Sequence, residues 1–288
     1  MYMLRAASAS SSAVATMTLP IVDTFIYFVR HGETTANRDR IRQGHLDYPL
    51  TERGVQGALA VGEALKDVPF DAIFSSDLGR GVSVYLIDSI TYLSKAFLLF
   101  TSHFIAYKTC ELLMSKLKHV SPSISIQSEP LLREINFGIR EGLNVDVSFD
   151  EARELLARQR GVSAEDIENE AESDDALFSR HDALLRSVRH RCTASRPHHV
   201  LCVTHGGFIR SLLRHRLPGK ADFDQKIENC SITVVRAQWN SEASESINPS
   251  NRGDELEALP TLSLNASYYN IVDHLLNPAS YSFIAPSL

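Results

Sequence analysis

The sequence predicts an α/β fold, a three-layer α/β/α sandwich built on a mostly parallel sheet. Short runs of aromatic and β-branched residues, such as "TFIYFVR" at 24–30 and "HHVLCVTH" at 198–205, alternate with longer stretches of helical period. That alternation favours parallel strands covered by helices on both faces. Two of the strands also end alike, at His31 and at His205, each followed by glycine and then a turn or helix. Ligands of open α/β sheets sit beyond the carboxyl ends of the strands, so both histidines fall where a site belongs.

The elements follow in order. The strand at 24–30 is rich in branched and aromatic residues and reads as buried. A helix within 50–68 takes Thr51 as its N-cap, with Val55, Leu59, Gly62 and Leu65 near one face. "DAIFSS" (71–76) is a second strand, 108–120 a helix and "SISIQ" (123–127) a strand. Helices follow at 150–160 and 173–192, then the strand at 198–205. "GGFIRSLLRHRL" is a helix that stops before Pro218-Gly219, and 231–238 is a strand that closes the readable core. Residues 239–262 are polar and read as a loop, and "LNASYYNIVDHLL" as a last strand or helical turn.

A chain of 288 residues can bury a substantial core. It is expected to form one domain over 21–280, with residues 1–20 as a disordered Ser/Ala-rich extension. A weak transit-peptide reading of that extension leaves mitochondrial import as the alternative to a cytoplasmic default. The net charge of −6 argues against a nucleic-acid partner, while leaving room for a local cationic pocket. No apolar run reaches the roughly 18 residues of a membrane span. The four cysteines, Cys110, Cys192, Cys202 and Cys230, lack CxxC spacing and read as reduced thiols. Asn229-Cys230-Ser231 matches a glycosylation sequon, with nothing else pointing to secretion.

The chemistry starts at Arg30-His31-Gly32-Glu33. A neutral imidazole attacks phosphorus, and the phosphohistidine it forms hydrolyses readily. A transferring phosphoryl group spreads its charge over equatorial oxygens, so catalysis needs cations and donors around them. Arginine grips two such oxygens with a planar fork and stays charged. An Arg-His pair at a strand end, with glycine admitting a close backbone approach, supplies clamp and nucleophile together.

"RHGETTAN", "FSSDLGR", "LREINFGIREGL" and "VTHGGFIR" occur in that order. Together they resemble the motifs of the histidine phosphatase superfamily, phosphoglycerate-mutase-like branch, over roughly residues 24 to 238. The resemblance implies the phosphoglycerate-mutase-like sandwich. It implies His31 as nucleophile, Arg30 and Arg80 as phosphate-binding arginines, and Glu134 as the acid that protonates the leaving oxygen. It further implies His205 as a second phosphate-pocket histidine, charged or donating, and Asn37, Gln43, Gly44 and Gly206 as substrate contacts. Surrounding cations would keep His31 neutral. No metal and no other cofactor is expected, because arginines and His205 carry the neutralisation. Arg133 reads as structural, and Glu172-Ser173 as a helix start before a site contact.

One departure stands out. Residues 81–107, apolar and aromatic without clear period, follow Arg80 where the family proceeds almost directly to a helix. They read as a lid or membrane-touching flap, as a packed insertion, or, preferred, as translated intron: Val82-Ser83 is what an in-frame GTAAGT donor would encode. The expected function is metal-free hydrolysis of a small phosphorylated metabolite through a His31 phosphoenzyme. Within the family the chain looks most like the fructose-2,6-bisphosphatase type, and fructose 2,6-bisphosphate or bisphosphoglycerate is the substrate this implies. A mutase, a protein phosphatase and an inactive scaffold are the alternatives. The sequence leaves the oligomeric state open.

Overall fold

The computed structural model describes residues 22–78, 105–191, 198–217, 223, 225–239 and 262–276. Arg80, most of the 81–107 segment, residues 1–20 and nearly all of 239–262 lie outside the described residues.

The strands are β1 (Val22–Arg30), β2 (Ala72–Ser75), β3 (Ile126–Ser128), β4 (His198–Thr204), β5 (Ile232–Trp239) and β6 (Leu262–Ile271). They form one sheet in the order β3-β2-β4-β1-β5-β6. The β3–β2, β2–β4 and β4–β1 pairs are parallel, and the β1–β5 and β5–β6 pairs antiparallel. The helices are α1 (Thr35–Arg38), α2 (Glu52–Leu65), α3 (Ile105–Met114), α4 (Phe149–Arg160), α5 (Asp174–Arg191), α6 (Gly206–Arg216) and α7 (Asp273–Leu276).

Alternation along the strands divides the core in two. Phe25, Tyr27 and Val29 of β1 pack with Leu201 and Val203 of β4 against Val61 and Leu65 of α2 and Leu113 of α3. Ile26 and Phe28 point the other way, with Val200 and Cys202, onto Leu184 and Leu185 of α5 and Phe208 and Leu212 of α6. Strands covered on both faces lose the polar alternation of a half-exposed strand, which is why β1 and β4 read as continuous apolar runs.

Three boundaries differ from the sequence reading. Helix α3 begins at Ile105, inside the segment assigned to the insertion, and ends at Met114 instead of continuing to 120. Beyond it the backbone tightens into short turns (Lys116 N to Leu113 O, Leu117 N to Met114 O), and Lys118 N then bonds Lys66 O at the end of α2. Strand β3 starts at Ile126 instead of 123, because the Ser121 carbonyl and hydroxyl hold residues 121–124 in a turn. The stretch read as a last strand or helical turn supplies both: residues 262–271 add the antiparallel edge strand β6 beside β5, and Asp273–Leu276 form a helical turn.

Helices α2 and α3 touch at Gly62, where an added Cβ would lie 2.4 Å from the Leu113 carbonyl oxygen. Backbone cannot yield as a flexible side chain would. Gly62→Ala is therefore expected to cost about 1–2 kcal/mol net, overpacking outweighing the gain in helix propensity. A urea unfolding curve with an unchanged or raised midpoint would contradict this packing.

Candidate active site

The site arises where three parallel strands stop in register. Arg30 pairs with Thr204, and Ser75 with Val203. The next residues, His31, His205 and Ser76, therefore leave the sheet side by side, with His31 N bonded to Thr204 O and Ser76 N to Val203 O.

His31 is buried, and its Nδ1 lies 2.8 Å from the Gly32 carbonyl. A carbonyl only accepts, so Nδ1 carries the proton and Nε2 keeps its lone pair. Burial holds the His31 pKa well below its ordinary value, and His205 and then Arg30 push it the same way. The turn is fixed from outside: Gly32 N donates to Thr109 Oγ1 at 3.1 Å, and that hydroxyl donates to Ile105 O in the first turn of α3.

Arg30 is buried against the nucleophile. Its Nη1 donates to Ile227 O at 2.5 Å, and its Nε has no hydrogen-bond partner among the described residues. His205 stands edge-on to His31 with ring centroids 5.1 Å apart, and its Nε2 meets Ser76 Oγ at 2.9 Å. Burial first, then the charges of Arg30, His45 and Arg180, lower its pKa to about 3. Of the two roles the sequence left open, this environment suits a neutral donor and disfavours a second cation. Arg80 lies outside the described residues.

Glu134 reaches the start of α6. Its Oε2 accepts from Gly207 N at 3.1 Å, and its Oε1 accepts from Phe208 N at 2.9 Å and Ile135 N at 3.0 Å. Orphan N–H groups and the positive end of the helix dipole make this a natural seat for a carboxylate. The two glycines after His205 follow from the same crowding. A Cβ on Gly206 would meet Arg30 Nε at 3.0 Å, and one on Gly207 would meet Glu134 Oε1 at 2.6 Å.

These side chains line a cleft of about 1200 Å³ that also takes in Asn37, Gln43, Gly44 and Gly206. Asn37 closes a capping box with Thr34 and accepts from Asn229 through Oδ1, so its amide nitrogen remains for a ligand. Gln43 Oε1 is buried without a partner among the described residues. Gly44 has a left-handed backbone (φ 54°), and a Cβ there would overlap the Glu141 carboxylate, so its identity is set by the turn. Glu33 anchors the loop, accepting from Thr51 Oγ1 at 2.8 Å. The bidentate Arg133–Asp77 pair is structural, as read.

Three contributors were not picked out in the sequence. Asn229 Nδ2 donates to both His31 O and Asn37 Oδ1 at 3.0 Å, so the residue read only as a sequon ties the nucleophile loop to α1. His45 Nε2 bonds the Glu134 carbonyl at 3.0 Å. Ser76 sat inside a quoted motif, yet its hydroxyl had no assigned part. Only the proximity of Asn229 to β5 hinted at any of these bonds.

The pattern of the histidine phosphatase superfamily (branch 1) matches residues 26–84 and 100–249. The chain belongs to that superfamily and is an enzyme of the phosphatase and mutase kind. A protein described as a probable phosphoglycerate mutase GpmB, from Escherichia coli O1:K1 / APEC, is 32% identical over 216 residues, covering 74% of this chain and 85% of its own. The fold is shared with the phosphoglycerate mutase of Bacillus anthracis str. Sterne (TM-score 0.60, 21% identity, 90% of this chain and 97% of that one). It is also shared with a mycobacterial glucosyl-3-phosphoglycerate phosphatase (TM-score 0.54, 21% identity, 86% and 99%).

The histidines carry a stability consequence. His31, His181, His205 and His274 are buried with lowered pKa values, to about 3 for His181 and His205 and about 4 for His274. Each binds its proton more readily unfolded than folded, so stability is full above the unfolded value near 6.5 and falls as pH drops below it. Between pH 7 and pH 5, His181, His205 and His274 are each expected to remove about 2 kcal/mol, together taking up about three protons on unfolding at pH 5, and His31 acts in the same direction. Urea titrations across that range measure the slope; His181→Phe should reduce the uptake by about one. A flat profile would contradict the burial.

Proposed function

We propose that this chain hydrolyses a small phosphate monoester through a phosphohistidine on His31. The observation that carries the reading is the orientation of His31: Nδ1–H bonded to Gly32 O, Nε2 unprotonated, and Arg30 buried alongside. Nε2 attacks phosphorus and the P–O bond to the leaving group breaks. Arg30 and Arg80 balance the charge on the phosphoryl oxygens, and neutral His205 donates a hydrogen bond to them. Glu134 in its protonated form gives its proton to the leaving oxygen, and as the carboxylate then takes one from water. That water attacks phosphorus, the P–N bond breaks, and inorganic phosphate leaves with His31 neutral again.

The substrate class is a small phosphorylated metabolite, with fructose 2,6-bisphosphate or 2,3-bisphosphoglycerate as specific candidates. Arg42, Arg53 and Arg210 also line the cleft and suit a second anionic group. A role in regulating glycolysis and a cytoplasmic location belong to the same proposal, supported by the buried thiols of Cys110 and Cys230. Neither nucleic acid nor membrane is proposed as a partner. A second reading, phosphoglycerate mutase, is favoured by the likeness to the probable phosphoglycerate mutase of Escherichia coli.

The test is phosphate release from the two bisphosphates and from 4-nitrophenyl phosphate, with His31→Ala as control. Release is expected from at least one substrate, falling by about 10³-fold or more in His31→Ala. Return of the labelled phosphoryl group to an organic product, with little free phosphate, would favour the mutase. Turnover surviving His31→Ala would refute the mechanism.

A further inference from the structure

Arg180 of α5, so far only one of the charges facing His205, also gathers the backbone around Glu134. Its Nη1 donates to Arg133 O at 2.7 Å and Leu131 O at 3.1 Å, and its Nη2 to Glu134 O at 3.4 Å. The fork is held in turn by Glu172, with Nε to Oε1 at 2.8 Å and Nη2 to Oε2 at 2.7 Å. Glu172 is itself pinned to the same segment, its N–H donating to Asn136 O at 2.9 Å. Both partners are 15% exposed. The guanidinium carbon lies 5.2 Å over the ring of Phe208, whose N–H binds the Glu134 carboxylate.

We propose that Arg180, held by Glu172, is a positioning residue that fixes Glu134 for proton transfer to the leaving oxygen. As a mere brace the pair would be a poor choice, since an ion pair removed from water adds little net stability over apolar packing. What it does supply is geometry. Three carbonyls of the 131–134 backbone are tied to one planar cation, which also contacts the residue holding the carboxylate. Loosening that fork lets the carboxyl drift on the α6 N-terminus, and misplacement by about 1 Å is enough to slow a positioned proton transfer by about 10²-fold. Arg180 never touches substrate; it acts through Glu134.

The proposal rests on the reading of Glu134 as the acid, and the experiment separates the two. Glycerol 3-phosphate has an alkoxide leaving group that needs a proton, whereas 2,4-dinitrophenyl phosphate leaves without one. Arg180→Met is expected to lower kcat/KM for glycerol 3-phosphate by about 10²-fold and for the aryl ester by less than about 5-fold. Combined with Glu134→Gln it should add almost nothing to the loss on glycerol 3-phosphate, because both changes remove one function. Arg180→Lys, which keeps the charge without the fork, should recover only a small part. If Arg180→Met does not fold, Glu172→Gln should show the same selectivity at smaller size. Equal losses on both esters, or losses that multiply in the double variant, overturn the positioning role while leaving the acid intact. A Glu134→Gln enzyme that treats both esters alike overturns the acid reading itself.

Discussion

The hydrogen bond from His31 Nδ1 to the Gly32 carbonyl, 2.8 Å long, governs the rest of the site. It turns Nε2 toward the cleft without a proton and forces the chain to bend immediately after β1. The bend needs an outside anchor, which Thr109 of α3 supplies at Gly32 N and Asn229 supplies at His31 O. Burial between Arg30 and His205 then keeps the ring neutral. Arg30 would be costly in that place without compensation; its Nη1 bond to Ile227 O and the nearby charges of Glu134 and Glu228 offset part of its desolvation.

A second constraint follows from the first. With Arg30 beside β4, a side chain at Gly206 would crowd Arg30 Nε at 3.0 Å, and one at Gly207 would displace the Glu134 carboxylate. The helix N-terminus is thus occupied by the Glu134 side chain. In the proposed mechanism the phosphoryl group draws its donors from Arg30, Arg80, His205 and Asn37, not from the α6 N-terminus.

Much of this architecture was legible because local sequence dictates it. Strands β1 and β4 are buried on both faces, so their apolar runs announce them; Thr51 caps α2 as its side chain predicts, accepting from Gly54 N. His31 could be named from the chemistry of an Arg-His pair at a strand end and His205 from the matching strand end, whereas Glu134 was named only through the resemblance of its motif. What stayed hidden depends on distant side-chain bonds. Asn229 meets His31 across 198 positions, and Arg180 reaches Leu131 across 49, distances at which local pattern carries no information. The start of α3 was misplaced because Ile105 and Ala106, apolar and buried on that helix, look in sequence like a continuation of the apolar stretch before them. Strand β6 was faint because an edge strand with Asn and Ser along it satisfies few sequence rules for a strand.

The central claim is that His31 rests as a neutral imidazole protonated on Nδ1. Nitrogen-15 NMR of the imidazole rings in the free enzyme, followed from about pH 8 to pH 5, reads this directly. The account predicts a His31 signal of the Nδ1–H neutral tautomer that does not titrate over that range and is absent in His31→Gln. An imidazolium at neutral pH, or the Nε2–H tautomer, would contradict it.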